Sequence, residues 1–423
     1  MTISETIALV ASILAVITSV FGLIYQILTF RQKDKELKHR MDMDRKEFDE
    51  KYATRKELVE RWVKKLPNLP DAVIGDKDNG YQLPYQYVGP IRNPKLFFGC
   101  HEHIEAVENY FSATQIPSIS IVGVRKSGKT SFLLHIQRLF NAKQYPQLIP
   151  VYIDAQNPIT SDKRFYAYLL REASATLETR IKTGAPMSEV PVEVEFEELN
   201  LFLEQAGKKH YKFVFLLDEF ERLAHDPKIA SEDFFSSLRS LIVKGNVSWV
   251  IASVRKIHTP DTVTSPFHNI FQDAIWLGPL RLRDARALVA TPAASTIHPF
   301  EDEDIDLIIH LAGRMPCLLQ KAALMLYKLH RAGFSGAAAR IRLADEFIQE
   351  APSEFEDQLS LLTYEEKEAL FQLALHRNVS CSARLLRQIE QYGFIEKGTN
   401  GYQILGSALN EYLTQKAEAI GLG

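Results

Sequence analysis

GVRKSGKTS, residues 123–131, decides how this chain is read. The apolar run SISIV at 118–122 precedes it and FLLHIQRLF, with helical periodicity, follows. A strand therefore runs through a glycine loop into a helix, the context a phosphate-binding loop requires. Gly123 and Gly128 let backbone N–H groups turn inward around phosphate oxygens, and the helix N-terminus adds its dipole. Val124, Arg125, Lys126, Ser127 and Ser131 complete the cradle, Lys129 reaches the β- and γ-phosphates, and Thr130 holds magnesium. The expected ligands are ATP (or ADP) and Mg2+.

Some ninety residues on, KFVFLLDEFERL at 212–223 is a second and independent signal. A continuous apolar run suits a strand buried on both faces, and it ends in two acids at the carboxyl edge of the sheet, where ligands gather. Asp218 is expected in the magnesium shell and Glu219 as the group that polarises the attacking water. A third strand, VSWVIASVRK at 247–256, brings Ser253 to the same edge, placed to sense the γ-phosphate or to orient water. Arg255 follows as a candidate finger acting across a subunit interface. Arg239, on the preceding helix, competes for that role, and a solvated arginine explains either position.

These elements, in this order, resemble the AAA-like P-loop ATPases of the STAND class, including the archaeal-ATPase and origin-recognition-like branches, over roughly residues 95–415. The resemblance implies an α/β fold: a three-layer domain on a parallel sheet, a helical lid and a winged-helix domain. Such proteins carry an apolar pair and Gly-Arg-Glu upstream of the loop. Here Phe97, Phe98 and Gly99 match, while Cys100 and His101 stand where Arg and Glu are usual. WLGPLRLRDARALV from Trp276 resembles the turn into the lid. GRMP at 313–316 resembles the turn that brings Pro316 and a lid helix to the nucleotide, with Arg314 replacing a glycine as a candidate reporter of nucleotide state. The stretches 362–375 and 382–413 resemble a winged helix, with strands at 393–397 and 402–405 and the wing turn at Gly398 and Gly401.

A winged helix invites a DNA hypothesis, and the charges oppose it. From 355 onward nine Asp and Glu face six Lys and Arg, whereas a phosphate-binding face should be basic. DNA is therefore not the expected partner.

Outside this region the N-terminus decides localisation. Residues 6–30 contain no charged side chain, enough at about 1.5 Å per residue to cross a hydrocarbon core of about 30 Å. Arg31, Lys33, Lys35, Lys38 and Arg40 crowd the exit. The positive-inside rule then makes this a single-pass anchor with its N-terminus outside and the ATPase in the cytoplasm. Ala8, Ser12, Ala15, Ser19, Gly22, Gln26 and Thr29 recur at alternating steps of four and three. They form one seam on which helices approach closely, so self-association is expected through this seam and the ATPase domain.

The expected organisation is a transmembrane helix at 6–30, a helical stalk at 31–66, a linker at 67–94, the ATPase core at 95–280, the lid at 281–354 and the winged helix at 355–423. The whole chain has 423 residues, 46% hydrophobic and 24% charged, with a net charge of −3. That composition describes a folded protein and excludes wholesale disorder. Cys100, Cys317 and Cys381 are the only cysteines, an odd number without metal-type spacing, which fits a reducing compartment. The expected function is a slow ATP hydrolase working as a membrane-anchored signalling or oligomerisation switch of STAND type. The alternatives are a membrane-associated motor acting on proteins or lipids and an origin-recognition-like factor. The class usually carries sensor repeats after the winged helix. A separate sensor or effector protein, or a trigger read by the insertion at 182–194, is expected to supply that function.

Overall fold

A computed structural model of the chain describes residues 83–421, apart from 114–115, 141–144, 158, 182–189, 257–266, 378, 380 and 400. The membrane helix with its seam, the stalk, most of the linker and most of the 182–194 insertion lie outside the described residues. Among the described residues no helix is long and apolar enough to cross a membrane. The chain divides into two units, Met1–Ile74 and Gly75–Gly423, and everything described belongs to the second.

The first half is a parallel sheet between two layers of helices. Strands β1 (Ser118–Val122), β2 (Leu148–Asp154), β3 (Lys212–Asp218), β4 (Val247–Ser253) and β5 (Phe271–Trp276) lie in the order β2-β3-β4-β1-β5. Every pairing is parallel. Parallel strands need both faces covered, and β1, β3 and β4 are buried almost throughout. Because side chains alternate along a strand, the two faces of β3 build separate cores. Val214 and Leu216 pack with Phe132, Ile136 and Phe140 of α2 (Lys129–Phe140) and with α1 (His101–Phe111). Phe213, Phe215 and Leu217 pack on the other face with Trp249 and with helices α3 (Asp162–Ile181), α4 (Phe196–Lys208) and α6 (Glu232–Val243). A short helix, α5 (Glu221–Ala224), leaves the end of β3.

The second half is helical. It runs α7 (Leu282–Ala294), α8 (Asp302–Ala312), α9 (Pro316–Arg331), α10 (Gly336–Glu350), α11 (Pro352–Leu359), α12 (Tyr364–Ala374) and α13 (Ala383–Tyr392). An antiparallel hairpin of β6 (Ile395–Gly398) and β7 (Gly401–Ile404) follows, then α14 (Ser407–Ala419). One apolar core runs through all of it, from Leu280 to Ala417. That core crosses the expected boundary at 354 and 355 because Phe355 of α11 is buried and α14 returns to pack on α8 and α10. At the return, Gly406 and Gly313 meet backbone to backbone. A Cβ on Gly406 would stand 2.8 Å from the Gly313 nitrogen, and the φ of 96° already favours glycine.

Candidate functional site

The phosphate loop leaves β1 at the carboxyl edge of the sheet and enters α2. Its shape depends on a missing side chain: a Cβ on Gly123 would lie 2.5 Å from both the Leu277 carbonyl and the Ser127 hydroxyl. Val124 turns into the apolar core of the helical half. The Lys129 ammonium is folded back on its own loop, donating to the carbonyls of Gly123 at 2.8 Å and Val124 at 3.0 Å. Burial pushes the Lys129 pKa down, and the nearby carboxylates, Glu221 first, oppose that. The Ser127 hydroxyl is buried without a hydrogen-bond partner, and the Ser131 hydroxyl accepts from the Ile91 N–H at 2.9 Å.

Thr130 and Asp218, 88 positions apart in sequence, meet at the mouth of the loop. The Thr130 hydroxyl donates to Asp218 Oδ2 at 2.5 Å, and the Tyr152 hydroxyl donates to the same oxygen at 3.1 Å. Burial raises the Asp218 pKa, while the bonds from Thr130 and Tyr152 and the charge of Lys129 work against it. One hydroxyl and one carboxylate oxygen in contact are a hard-oxygen donor set. Among the described residues no group of three or more His, Cys, Asp or Glu could hold a metal ion. Such a site suits magnesium, which keeps several waters and is held by one or two protein groups together with substrate phosphates.

Glu219 adopts a left-handed φ of 50°. Its Oε1 accepts from Gln156 Nε2 at 2.6 Å and its Oε2 accepts from Arg222 Nε at 2.9 Å. Ser253 is fully buried; its hydroxyl donates to the Arg255 carbonyl at 2.6 Å, and its carbonyl accepts from the Gly123 N–H at 3.2 Å.

The three arginines lie elsewhere. Arg255 reaches into the helical half of its own chain, donating to the Leu361 carbonyl at 3.1 Å and to Glu366 Oε2 at 2.8 Å. Arg314 pairs with Glu396 of the hairpin at 2.9 Å, and Arg239 is exposed on α6.

Two sets of residues around the loop carry no local sequence signature. The first is the stretch 85–92, expected as linker, which closes one wall of the site. Tyr85 is buried, its hydroxyl donating to the Val289 carbonyl and its ring stacked on Phe300 at 5.9 Å. The Gln86 N–H donates to Gln320 Oε1 at 3.0 Å. Two tyrosines, a valine and an isoleucine in eight positions are a heavy apolar load for a free linker, and that was the available signal. The second set is on α11. Lys126 pairs with Asp357 at 3.4 Å and lies 4.0 Å from Glu354, and Gln358 Nε2 donates to the Arg125 carbonyl at 3.4 Å.

The first of these sets, with the phosphate loop and the end of β3, lines a cavity of about 720 Å³, within the range of small-molecule sites. One end is polar, with Lys129, Thr130, Asp218 and Glu219. The other is apolar, with Leu96, Phe97, Leu280, Leu288 and Pro316. Phosphates fit the first end and a nucleobase the second.

Solved structures share the fold. A Walker-type ATPase of Pyrococcus abyssi superposes with a TM-score of 0.53 at 15% identity, over 77% of this chain and 98% of that one. The ORC2 protein of Aeropyrum pernix, in its ADPNP–ADP complexes, superposes with a TM-score of 0.50 at 14% identity, over 79% of this chain and 100% of that one. At these identities the likeness establishes the P-loop ATPase fold. No curated protein matches the sequence. The model of the nSTAND1 family, described as Novel STAND NTPase 1, matches residues 91–344, well over half of the chain. With its phosphate loop and acid-tipped strand inside that span, the chain belongs to the nSTAND1 family.

Proposed function

We propose that this protein is a membrane-anchored switch in which ATP, held with magnesium, sets the position of the C-terminal helices and through them the state of assembly. The observation that carries the reading is that residues 354–366 grip the nucleotide site at two points. Lys126, inside the phosphate loop, pairs with Asp357, and Arg255, two residues beyond Ser253, pairs with the buried Glu366. Glu366 also caps its own helix, accepting from the Thr363 N–H at 2.7 Å. A change at the γ-phosphate therefore bears on the start of α12 through one short chain of contacts.

In this reading Lys129 leaves its loop carbonyls for the phosphates. Thr130 and Asp218 hold the magnesium, which supplies charge neutralisation on the β- and γ-phosphates. Glu219 orients water, Ser253 senses the γ-phosphate once its hydroxyl leaves the Arg255 carbonyl, and slow hydrolysis resets the switch. Residues 355–423 act as a winged helix packed on the ATPase rather than as a DNA reader; their acidic balance supports this. The uncharged span 6–30, with its small-residue seam and basic exit, supports a cytoplasmic ATPase whose oligomeric state passes through the bilayer. A separate sensor or effector protein completes the signalling unit.

The test is the mass of the detergent-solubilised full-length protein with ATP, with ADP and in Lys129→Ala. The switch predicts a larger assembly in one nucleotide state and its loss in the variant. Identical masses in all three samples would refute it. Rapid steady turnover with no change of mass would favour a motor instead.

A further inference from the structure

Asp218 is tied by donors from three different elements. Its Oδ2 accepts from the Thr130 hydroxyl at 2.5 Å and from the Tyr152 hydroxyl at 3.1 Å, and its Oδ1 accepts from the Glu219 N–H at 3.1 Å. An ionised carboxylate offers about four acceptor sites, so these bonds hold it against rotation. The Thr130 hydroxyl belongs to the phosphate loop and has its own part in holding a metal, and the Glu219 N–H is the adjoining peptide. Tyr152 stands outside both, and the reading above gives its hydroxyl no task.

Sheet geometry explains how that hydroxyl arrives. Tyr152 lies opposite Leu216 in the parallel register of β2 and β3. Residues two apart on a strand share a face, so Tyr152, Leu216 and Asp218 lie on the side covered by α2, the helix that carries Thr130. The Tyr152 ring is half-buried and packs against the apolar core on that side. The same residue lines the nucleotide cavity. A ring locked by packing delivers its hydroxyl to a fixed point, as a supporting contact of a binding site must.

We propose that Tyr152 is a positioning residue of the magnesium site: its hydroxyl fixes the Asp218 carboxylate for the metal, so that ATP binding with magnesium depends on it and ATP binding without magnesium does not. A carboxylate at the end of a strand turns about its side-chain bonds unless something holds it, and each idle orientation weakens its grip on a cation. The bond from Tyr152 uses neither the metal nor the phosphates, so it holds the carboxylate before either arrives. Groups that orient a metal-holding side chain without touching the metal commonly set affinity by about ten- to a hundred-fold. The inference rests on the reading of Thr130 and Asp218 as the magnesium site.

The experiment uses the full-length protein and Tyr152→Phe, which keeps the ring and removes only the hydroxyl. A fluorescent ATP analogue is titrated with saturating Mg2+ and again with EDTA, and the ratio of the two affinities measures what the metal contributes. The expected result is a ratio lowered about ten-fold in the variant, with the EDTA affinity within about two-fold of the unmodified protein. A ratio lowered by less than about three-fold overturns the inference. If both affinities then fall together, Tyr152 belongs to the general packing of the site. The same substitution placed in Asp218→Ala should leave that variant's ratio within about two-fold, because Tyr152 acts through the carboxylate. A further fall there would also overturn the inference, by making Tyr152 a direct contact of the metal or nucleotide. If magnesium adds nothing to ATP binding in the unmodified protein, the magnesium reading itself fails, so the two failures are distinguishable.

Discussion

The sheet half and the helical half are held together by different means. The sheet half rests on large aromatic side chains, with Phe213, Phe215, Phe234, Phe235 and Trp249 on one face of β3 and β4 and Phe132 and Phe140 on the other, all essentially without exposure. The helical half has a core rich in alanine and leucine and is keyed by backbone contacts, such as that of Gly313 with Gly406. The phosphate loop belongs to both: Phe132 and Ile136, just beyond it, pack on the sheet, while Val124 packs in the helical core. The contrast teaches that one wall of the nucleotide site is a platform and the other is a docked body, so the site registers how the docked body sits.

Substitutions separate the two halves. The largest effect is expected from Trp249→Ala, which empties a fully buried site stacked on Phe215 at 5.0 Å. It should cost about 3–5 kcal/mol of stability, measured by denaturant unfolding with and without ADP. Lys129→Ala comes next and should leave stability nearly unchanged. Removing charge-assisted bonds to two phosphates, at about 1.5–3 kcal/mol each, should weaken ATP on the order of a hundred-fold or more in a titration. Gly406→Ala should destabilise the helical half by about 1–3 kcal/mol, because the left-handed backbone and the 2.8 Å approach to Gly313 both oppose a side chain. Hydrogen exchange should show this loosening in α8 and α14 while β3 and β4 stay protected; uniform loosening would erase the contrast. Asp357→Asn is the smallest. Lys126 and Asp357 are both well exposed, at 38% and 50%, so its effect on stability should stay within about 1 kcal/mol.

What the sequence disclosed follows the same division. The phosphate loop and the acid-tipped strand were legible because their chemistry demands particular residues at fixed local spacing. Asp218 and Thr130 could be named as partners across 88 positions for that reason alone. Strands β1, β3 and β4 announced themselves as short apolar runs, whereas β2, with Pro150 and Tyr152 inside it, did not. The grip of α11 and α12 on the loop was invisible. Asp357 and Glu366 sit in ordinary helical surroundings, and only a contact over 111 positions tells Glu366 from any other capping-box acid. Arg255 illustrates the cost of local reading: its position after Ser253 suits a finger, yet its guanidinium is bound within its own chain. The wall at 85–92 was hidden by Gly89 and Pro90, which read as linker while Tyr85 and Ile91 are core. The membrane span and its seam rest on sequence pattern alone.

The central claim is that the C-terminal helices and the nucleotide are coupled through the loop. Its most direct test compares ATP and ADP affinities, by titration, in the unmodified protein and in Glu366→Gln, which weakens the Arg255 contact and leaves the loop sequence intact. Coupling between sites is reciprocal and commonly amounts to about five-fold or more. The account predicts that the ratio of ATP to ADP affinity shifts by at least that factor. A ratio unchanged within two-fold, in a variant that still folds and binds nucleotide, would contradict it.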